Sequence, residues 1–159
     1  MFGIKSGWGL KHSVVLMRIL IGWHFLFEGI IKLYNPEWTS FGYLASAQGP
    51  LKSIFVSLAN PSIIGTIDVL NISALIVVGL TLILGFYEKL GAFMGIGLLV
   101  MYYFAHPPFP GLPEINVEGN YWFVNKNLIE LAALLVIYQL PTGNFFGLSR
   151  ILNKSEANN

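Results

Sequence analysis

Three titratable side chains recur every fourth residue in one apolar run, G-W-H-F-L-F-E-G-I-I-K-L over residues 22–33: His24, Glu28 and Lys32. At that spacing they form a stripe on one helix face, drifting by about 40° per step. An imidazole, a carboxyl and an ammonium so placed can relay protons, hold a polar headgroup or pair with one another. Two i, i+3 pairs repeat the pattern, Asp68 with Asn71 and Asn127 with Glu130. Each lies in an apolar run, where a charge is costly unless it faces the bundle interior and finds a partner.

The elements that carry these groups follow from composition. The 159 residues are 55 % hydrophobic and only 11 % charged, against about 25 % charged for a soluble domain. Four apolar runs, 13–34, 63–86, 90–105 and 124–140, are each about long enough to cross a bilayer core of about 30 Å. The third holds no charge and ends in Tyr102–Tyr103, as an aromatic belt would. The expected fold is all-α, a polytopic four-helix membrane bundle forming a single domain over 1–159. The connection Gly85–Lys89 is short enough to make the second and third spans antiparallel neighbours. Gly91-x-x-x-Gly95, followed by Gly97, gives the third span a smooth face for close packing, within the bundle or in a homodimer.

Two outer connections are distinctive. The first, residues 35–62, opens with Asn35-Pro36-Glu37-Trp38 and closes with Asn60-Pro61. Inside it Leu51, Ile54, Phe55 and Leu58 follow i, i+3, i+4, i+7, which predicts an amphipathic outer helix lying on the membrane and covering the outer end. The second, His106-Pro107-Pro108-Phe109-Pro110-Gly111, cannot be helical because its prolines lack donors and fix φ. Trp38, Tyr121 and Trp122 are expected as interfacial anchors.

Six of the nine Lys/Arg (Lys5, Lys11, Arg18, Lys89, Arg150, Lys154) fall on the side of the termini and three (Lys32, Lys52, Lys126) on the other. The expectation is a multi-pass protein of a bacterial-type inner (cytoplasmic) membrane with both termini cytoplasmic. The first run is too long for a cleaved signal, contains Glu28, and precedes the nearest A-x-A by many residues.

At about 1.5 Å per residue, Glu28, Asp68 and Glu130 each lie roughly 8–9 Å below the outer ends of their helices, and Asn71 and Asn127 within a turn of them. The inner half offers only Arg18. An outer-leaflet pocket follows, with Glu28, Asp68 and Glu130 as candidate catalytic groups and His24, Lys32, Trp38, Asn71, His106 and Asn127 as candidate binding groups. Simpler roles stand beside this one. Glu28–Lys32 could be an i, i+4 pair, His24 a satisfied core histidine, and Asp68 and Glu130 carboxylates at helix starts. Haem is not expected, because His24 and His106 lie about 15 Å apart along the membrane normal. The absence of cysteine removes disulfides and iron–sulfur ligation. No spacing suggests a metal, and no basic run suggests nucleic acid. A proton-accepting carboxyl beside a lipid-accessible cavity suits a quinone. A small transporter is disfavoured, because the spans show no inverted repeat or broken helix.

R-I-L-I-G-W-H-F-L-F-E-G-I-I-K-L (18–33), N-P-E-W-T-S (35–40) and Y-L-A-S-A-Q-G-P (43–50) resemble the opening of DoxX/DoxD-like membrane proteins. V-V-G-L-T-L-I-L-G-F-Y-E-K-L-G-A (77–92) is similar to the family's second span and turn, and the likeness covers residues 15–140. Arg18, Gly22, Phe25, Gly29, Lys32 and Leu33 match its first-span pattern, and Glu28 and Glu130 stand where polar residues are usual. The resemblance implies a four-helix membrane fold. For the DoxD branch it implies a thiosulfate:quinone oxidoreductase subunit acting with a second, soluble redox partner. The alternative is a non-enzymatic scaffold or accessory protein that stabilises a partner complex.

Overall fold

The computed structural model describes residues 8–112, 119 and 121–156; Lys5, counted above for the inner side, lies outside them. Seven helices occur among the described residues: α1 (Trp8–Leu33), α2 (Phe41–Ala45), α3 (Lys52–Leu58), α4 (Ile64–Leu84), α5 (Glu88–Ala105), α6 (Lys126–Gln139) and α7 (Leu148–Glu156). The four longest, α1, α4, α5 and α6, form an up-and-down bundle, in which α1 packs most broadly on α4 and α5 on α6. The end bearing α2 and α3 is termed outer, and the end bearing α7 inner.

Residue type sorts each helix face. On α1, Val14, Arg18, Ile21 and Phe25 are buried while Leu16, Leu20, Trp23, Phe27 and Ile31 are exposed. On α4, Leu75, Val78 and Leu82 are buried while Val69, Leu70, Leu80 and Leu84 are exposed. Helices apolar all round but exposed on one side are built for lipid. α1, α4 and α5 are long and apolar enough to span a membrane. Where α1 meets α4, a Cβ on Gly79 would come within 2.6 Å of the Leu26 backbone. The two backbones therefore touch, an approach that only a small residue permits. Gly91 and Gly95 also face inward, against Thr81 and Leu134, whereas Gly97 opens to the outside.

α6 is shorter than the predicted span. Its fourteen residues rise about 21 Å. Asn125 caps its start by accepting from the Leu128 amide at 3.1 Å, and Pro141 disfavours helix at Leu140. α5 instead begins earlier than predicted, with Glu88 as its first residue.

The outer connection is tied down along its length. Asn35 and Asn60 each accept the amide two residues on, at 3.1 and 2.9 Å, so both Asn-Pro corners are side-chain-closed turns. The amides of Gln48 and Gly49 donate to the Ala105 carbonyl at 2.9 and 3.2 Å. A Cβ on Gly49 would overlap the Phe104 carbonyl oxygen at 1.8 Å. α3 falls where the periodicity put it, but its apolar residues divide. Phe55 is buried with Leu44, Ala47 and Ala105, and Leu58 packs on that cluster, while Leu51, Ile54 and Val56 remain exposed. α3 thus buttresses α2 and packs toward Ala105 of α5 and Ile64 and Ile67 of α4, without itself lining the cavity. Residues 106–111 form no helix, as their prolines require.

Candidate functional site

An outer cavity of about 490 Å³ lies among α1, α4, α5 and α6, closed above by the segment from Trp38 to Tyr43. The four-residue stripe of α1 delivers His24, Glu28 and Lys32 to its wall; α4 adds Asn71, α5 Tyr102, and α6 Lys126 and Asn127. Phe25, Leu75 and Leu99 supply apolar floor. Lys32 Nζ donates to Glu28 Oε2 at 2.5 Å and stands 5.6 Å from the Trp38 ring centre, within cation–π range. Asn71 Nδ2 donates to the Tyr102 hydroxyl at 2.8 Å. The Tyr43 hydroxyl donates to the Tyr102 carbonyl at 3.3 Å. Burial, with Tyr102 adding to it, pushes the Tyr43 phenol above its usual range, so this hydroxyl stays a donor at neutral pH.

Six of the nine sequence-predicted site residues line this cavity: His24, Glu28, Lys32, Trp38, Asn71 and Asn127. The three candidate carboxylates do not converge. Glu130 Oε1 pairs with His24 Nδ1 at 2.7 Å, and its buried Oε2 has no hydrogen-bond partner among the described residues. It faces a neighbouring groove of about 850 Å³ between α1 and α6, walled by Leu16, Leu20, Ile129 and Ala133. His24 stands on the wall common to groove and cavity. Asp68 instead holds the outer connection, its Oδ1 accepting from the Ser40 amide at 2.8 Å and the Ser40 hydroxyl at 2.5 Å. His106 does similar work beneath α2: it is buried, and its Nε2 lies 2.9 Å from the Tyr43 carbonyl. Thus Asp68 and His106 fix the segment that closes the cavity rather than lining it.

Tyr43, Tyr102 and Lys126 line the cavity without having been singled out. Tyr102 reads in sequence as half of an aromatic belt, and Lys126 as one of the three cations on the outer side. Tyr43 lies in a helix of five residues, too short to leave a periodic signature.

A second polar cluster, also unforeseen, sits at the inner end. Arg18 is completely buried and donates to Glu88 Oε2 at 2.9 Å, Thr142 Oγ1 at 3.1 Å and the Phe146 carbonyl at 2.7 Å. Glu88 Oε1 accepts the Gly143 amide at 2.6 Å. Gly85 ends α4 with φ 64°, and a Cβ there would sit 2.6 Å from the guanidinium. The earlier start of α5 places Glu88 within reach of Arg18, so the inner half holds an ion pair and not a solitary cation.

Comparison of the sequence with family models matches residues 13–107 to the family described as DoxX. Neither the comparison with curated proteins nor that with solved structures found a match.

Proposed function

The chain belongs to the DoxX family of membrane proteins, and from that premise we propose that it is a redox-associated membrane subunit whose outer cavity receives a quinone headgroup. The observation that carries this reading is the convergence of hydrogen-bond donors and one carboxyl in a single cavity walled by lipid-facing helices. Lys32, Lys126, Asn127 and Asn71 supply donors from three helices, enough to meet the two carbonyl oxygens of a quinone on opposite walls. The apolar floor suits the ring face. Reduction of a quinone to a quinol consumes two electrons and two protons. The electron pair comes from a sulfur compound such as thiosulfate, oxidised on a partner subunit. The part of this chain is to orient the ring, with the two protons drawn from water at the outer surface and Glu28, a carboxylate balanced by Lys32, as the group that accepts each proton and passes it to the ring.

In this reading the membrane is a bacterial-type inner membrane and the inner end is cytoplasmic. Lys11, Arg18, Lys89, Arg150 and Lys154 gather at that end, and the α1 N-terminus and α7 lie there together. The cavity then opens on the opposite side.

A second reading, a non-catalytic accessory subunit, is favoured by one observation: the outer acids already have partners in the chain. Glu28 has Lys32, Glu130 has His24 and Asp68 has Ser40. Titration of the detergent-purified protein with a short-chain ubiquinone separates the two. A quinone subunit should show saturable tryptophan quenching that Trp38→Phe removes and Glu28→Gln or Lys32→Met weakens about tenfold. Absence of saturable quenching in the wild-type protein would leave the accessory role.

A further inference from the structure

The C-terminal helix carries a pattern that the outer cavity does not use. In L-S-R-I-L-N-K-S-E, Leu148, Ile151 and Leu152 share one face, and Ser149, Arg150, Asn153 and Lys154 share the other. The helix is not free to turn. Ser149 Oγ donates to the Gly85 carbonyl at 2.8 Å and Asn153 Nδ2 to Asn144 Oδ1 at 3.0 Å. The residues that lead into it are held by the buried Arg18, through the Phe146 carbonyl. With its polar edge docked, α7 leaves Ile151 64 % exposed and Leu152 48 % exposed.

In water that exposure would be a liability, but its neighbours are apolar too. Ile83 and Leu84, the last residues of lipid-facing α4, form with Ile151 and Leu148 a groove of about 750 Å³. Arg150 and Lys154 stand at its edge, one turn apart. Among the described residues the Arg150 guanidinium makes one hydrogen bond, to the Phe145 carbonyl at 3.3 Å, and neither cation has a carboxylate partner. The acid of α7, Glu156, is its last residue.

Two cations above an apolar slot that continues a lipid-facing helix call for one chemistry, an anionic headgroup carrying an acyl chain. A soluble anion would leave the slot empty, and a neutral lipid would leave both charges uncompensated. We infer that α7 and the end of α4 form an anionic-phospholipid site, in which Arg150 and Lys154 hold the phosphodiester while an acyl chain lies along Ile83, Leu84 and Ile151. The site is independent of what the outer cavity binds. It fastens the helix that follows the Arg18 cluster to the leaflet at the inner end.

The test is native mass spectrometry of the full-length, detergent-purified protein titrated with phosphatidylglycerol and with phosphatidylcholine of the same chain length. Two interfacial cations predict a preference of roughly tenfold to thirtyfold for phosphatidylglycerol, reduced by added salt. Arg150→Gln with Lys154→Gln should abolish the preference without moving the melting temperature. Leu148→Ser with Ile151→Ser should weaken both lipids and leave the residual preference in place. Equal binding of the two lipids by the wild-type protein would overturn the site, as would an undiminished preference in a folded Arg150→Gln/Lys154→Gln protein. If that double variant does not fold, Lys154→Gln alone must still lower the preference several-fold for the site to stand.

Discussion

The bundle contains two polar clusters, and they are built on opposite plans. At the inner end Arg18 is wholly buried and meets a carboxylate, a hydroxyl and a carbonyl, while the Glu88 carboxylate takes the Gly143 amide on its other oxygen. Gly85 and Gly143 close over it so tightly that a single methyl would collide with the guanidinium or with Glu88. At the outer end the pairs are looser and partly exposed, with side-chain exposures of 18 % for Lys32 and 35 % for Glu28, and about 490 Å³ of space stands among them. Both clusters answer the same demand, that a charge among apolar helices be paired. The inner cluster leaves Arg18 Nε without a hydrogen-bond partner among the described residues, but the cavity with room for another molecule stands beside the outer one. A titratable residue in a span is therefore a poor guide to function by itself; the space beside it decides.

That contrast can be tested by removing one partner at a time. The largest effect should come from Arg18→Met, which leaves Glu88 buried without its cation and should cost about 3–5 kcal/mol, read as a large fall in melting temperature. Arg18→Met with Glu88→Met should recover much of the loss. An unchanged melting temperature in Arg18→Met would show that the inner cluster is not structural.

Next in size is the outer buttress. Phe55→Ala empties a buried site and should cost about 3 kcal/mol, expressed as faster proteolysis between residues 41 and 60. Ile54→Ala, one residue away but exposed, should change stability by less than about 0.5 kcal/mol. Equal effects would mean that α3 is docked on a different face. Gly49→Ala should follow, at about 1–3 kcal/mol, because the methyl must displace the Phe104 carbonyl and with it the two hydrogen bonds to Ala105. Its sign is a rise in amide exchange at Gln48 and Gly49 while the Arg18 cluster stays protected.

The smallest change in stability belongs to Glu28→Gln. A half-exposed i, i+4 pair contributes at most about 1 kcal/mol, so melting should hardly move while quinone quenching weakens. If Glu28→Gln destabilises the protein and the added Lys32→Met restores both melting and quenching, the outer pair is structural like the inner one. A pH limit sharpens the same point. Since the Tyr43 phenol is raised from its ordinary value of 10.0, its support of the outer connection is complete below about pH 10 and is lost as pH rises further. The inner cluster contains no such group, so proteolysis at high pH should begin at the outer connection.

Length and polarity made the helices legible. The apolar runs beginning at 63 and 124, within two residues of the starts of α4 and α6, and the amphipathic segment Leu51–Leu58 all emerge from local pattern, because hydrophobic periodicity is a property of neighbouring residues. The stripe of His24, Glu28 and Lys32 was legible for the same reason, and all three line the cavity. What could not be read were encounters between distant segments. Asp68 and Ser40 are 28 residues apart, Tyr43 and Tyr102 are 59 apart, and Arg18 and Thr142 are 124 apart. Equal depth suggested that Glu28, Asp68 and Glu130 would meet, but depth fixes only one coordinate. The azimuth of each helix sends Glu130 to the groove and Asp68 to the connection above.

The fourteen residues of α6 carry a consequence for the surrounding bilayer. A rise of about 21 Å falls roughly 9 Å short of a hydrocarbon core of about 30 Å. The deficit lies on the cavity's side of the bundle, where Lys126 begins the helix. Above it the chain places a tight turn, Tyr121 bridged to Val124, whose Tyr121, Trp122 and Phe123 side chains all point outward. Tyr and Trp rings are favoured at the headgroup level. The bundle is thus shortest along α6, and lipids with shorter chains should collect there. A leaflet thinned beside α6 would shorten the path from the membrane's polar surface to the cavity wall.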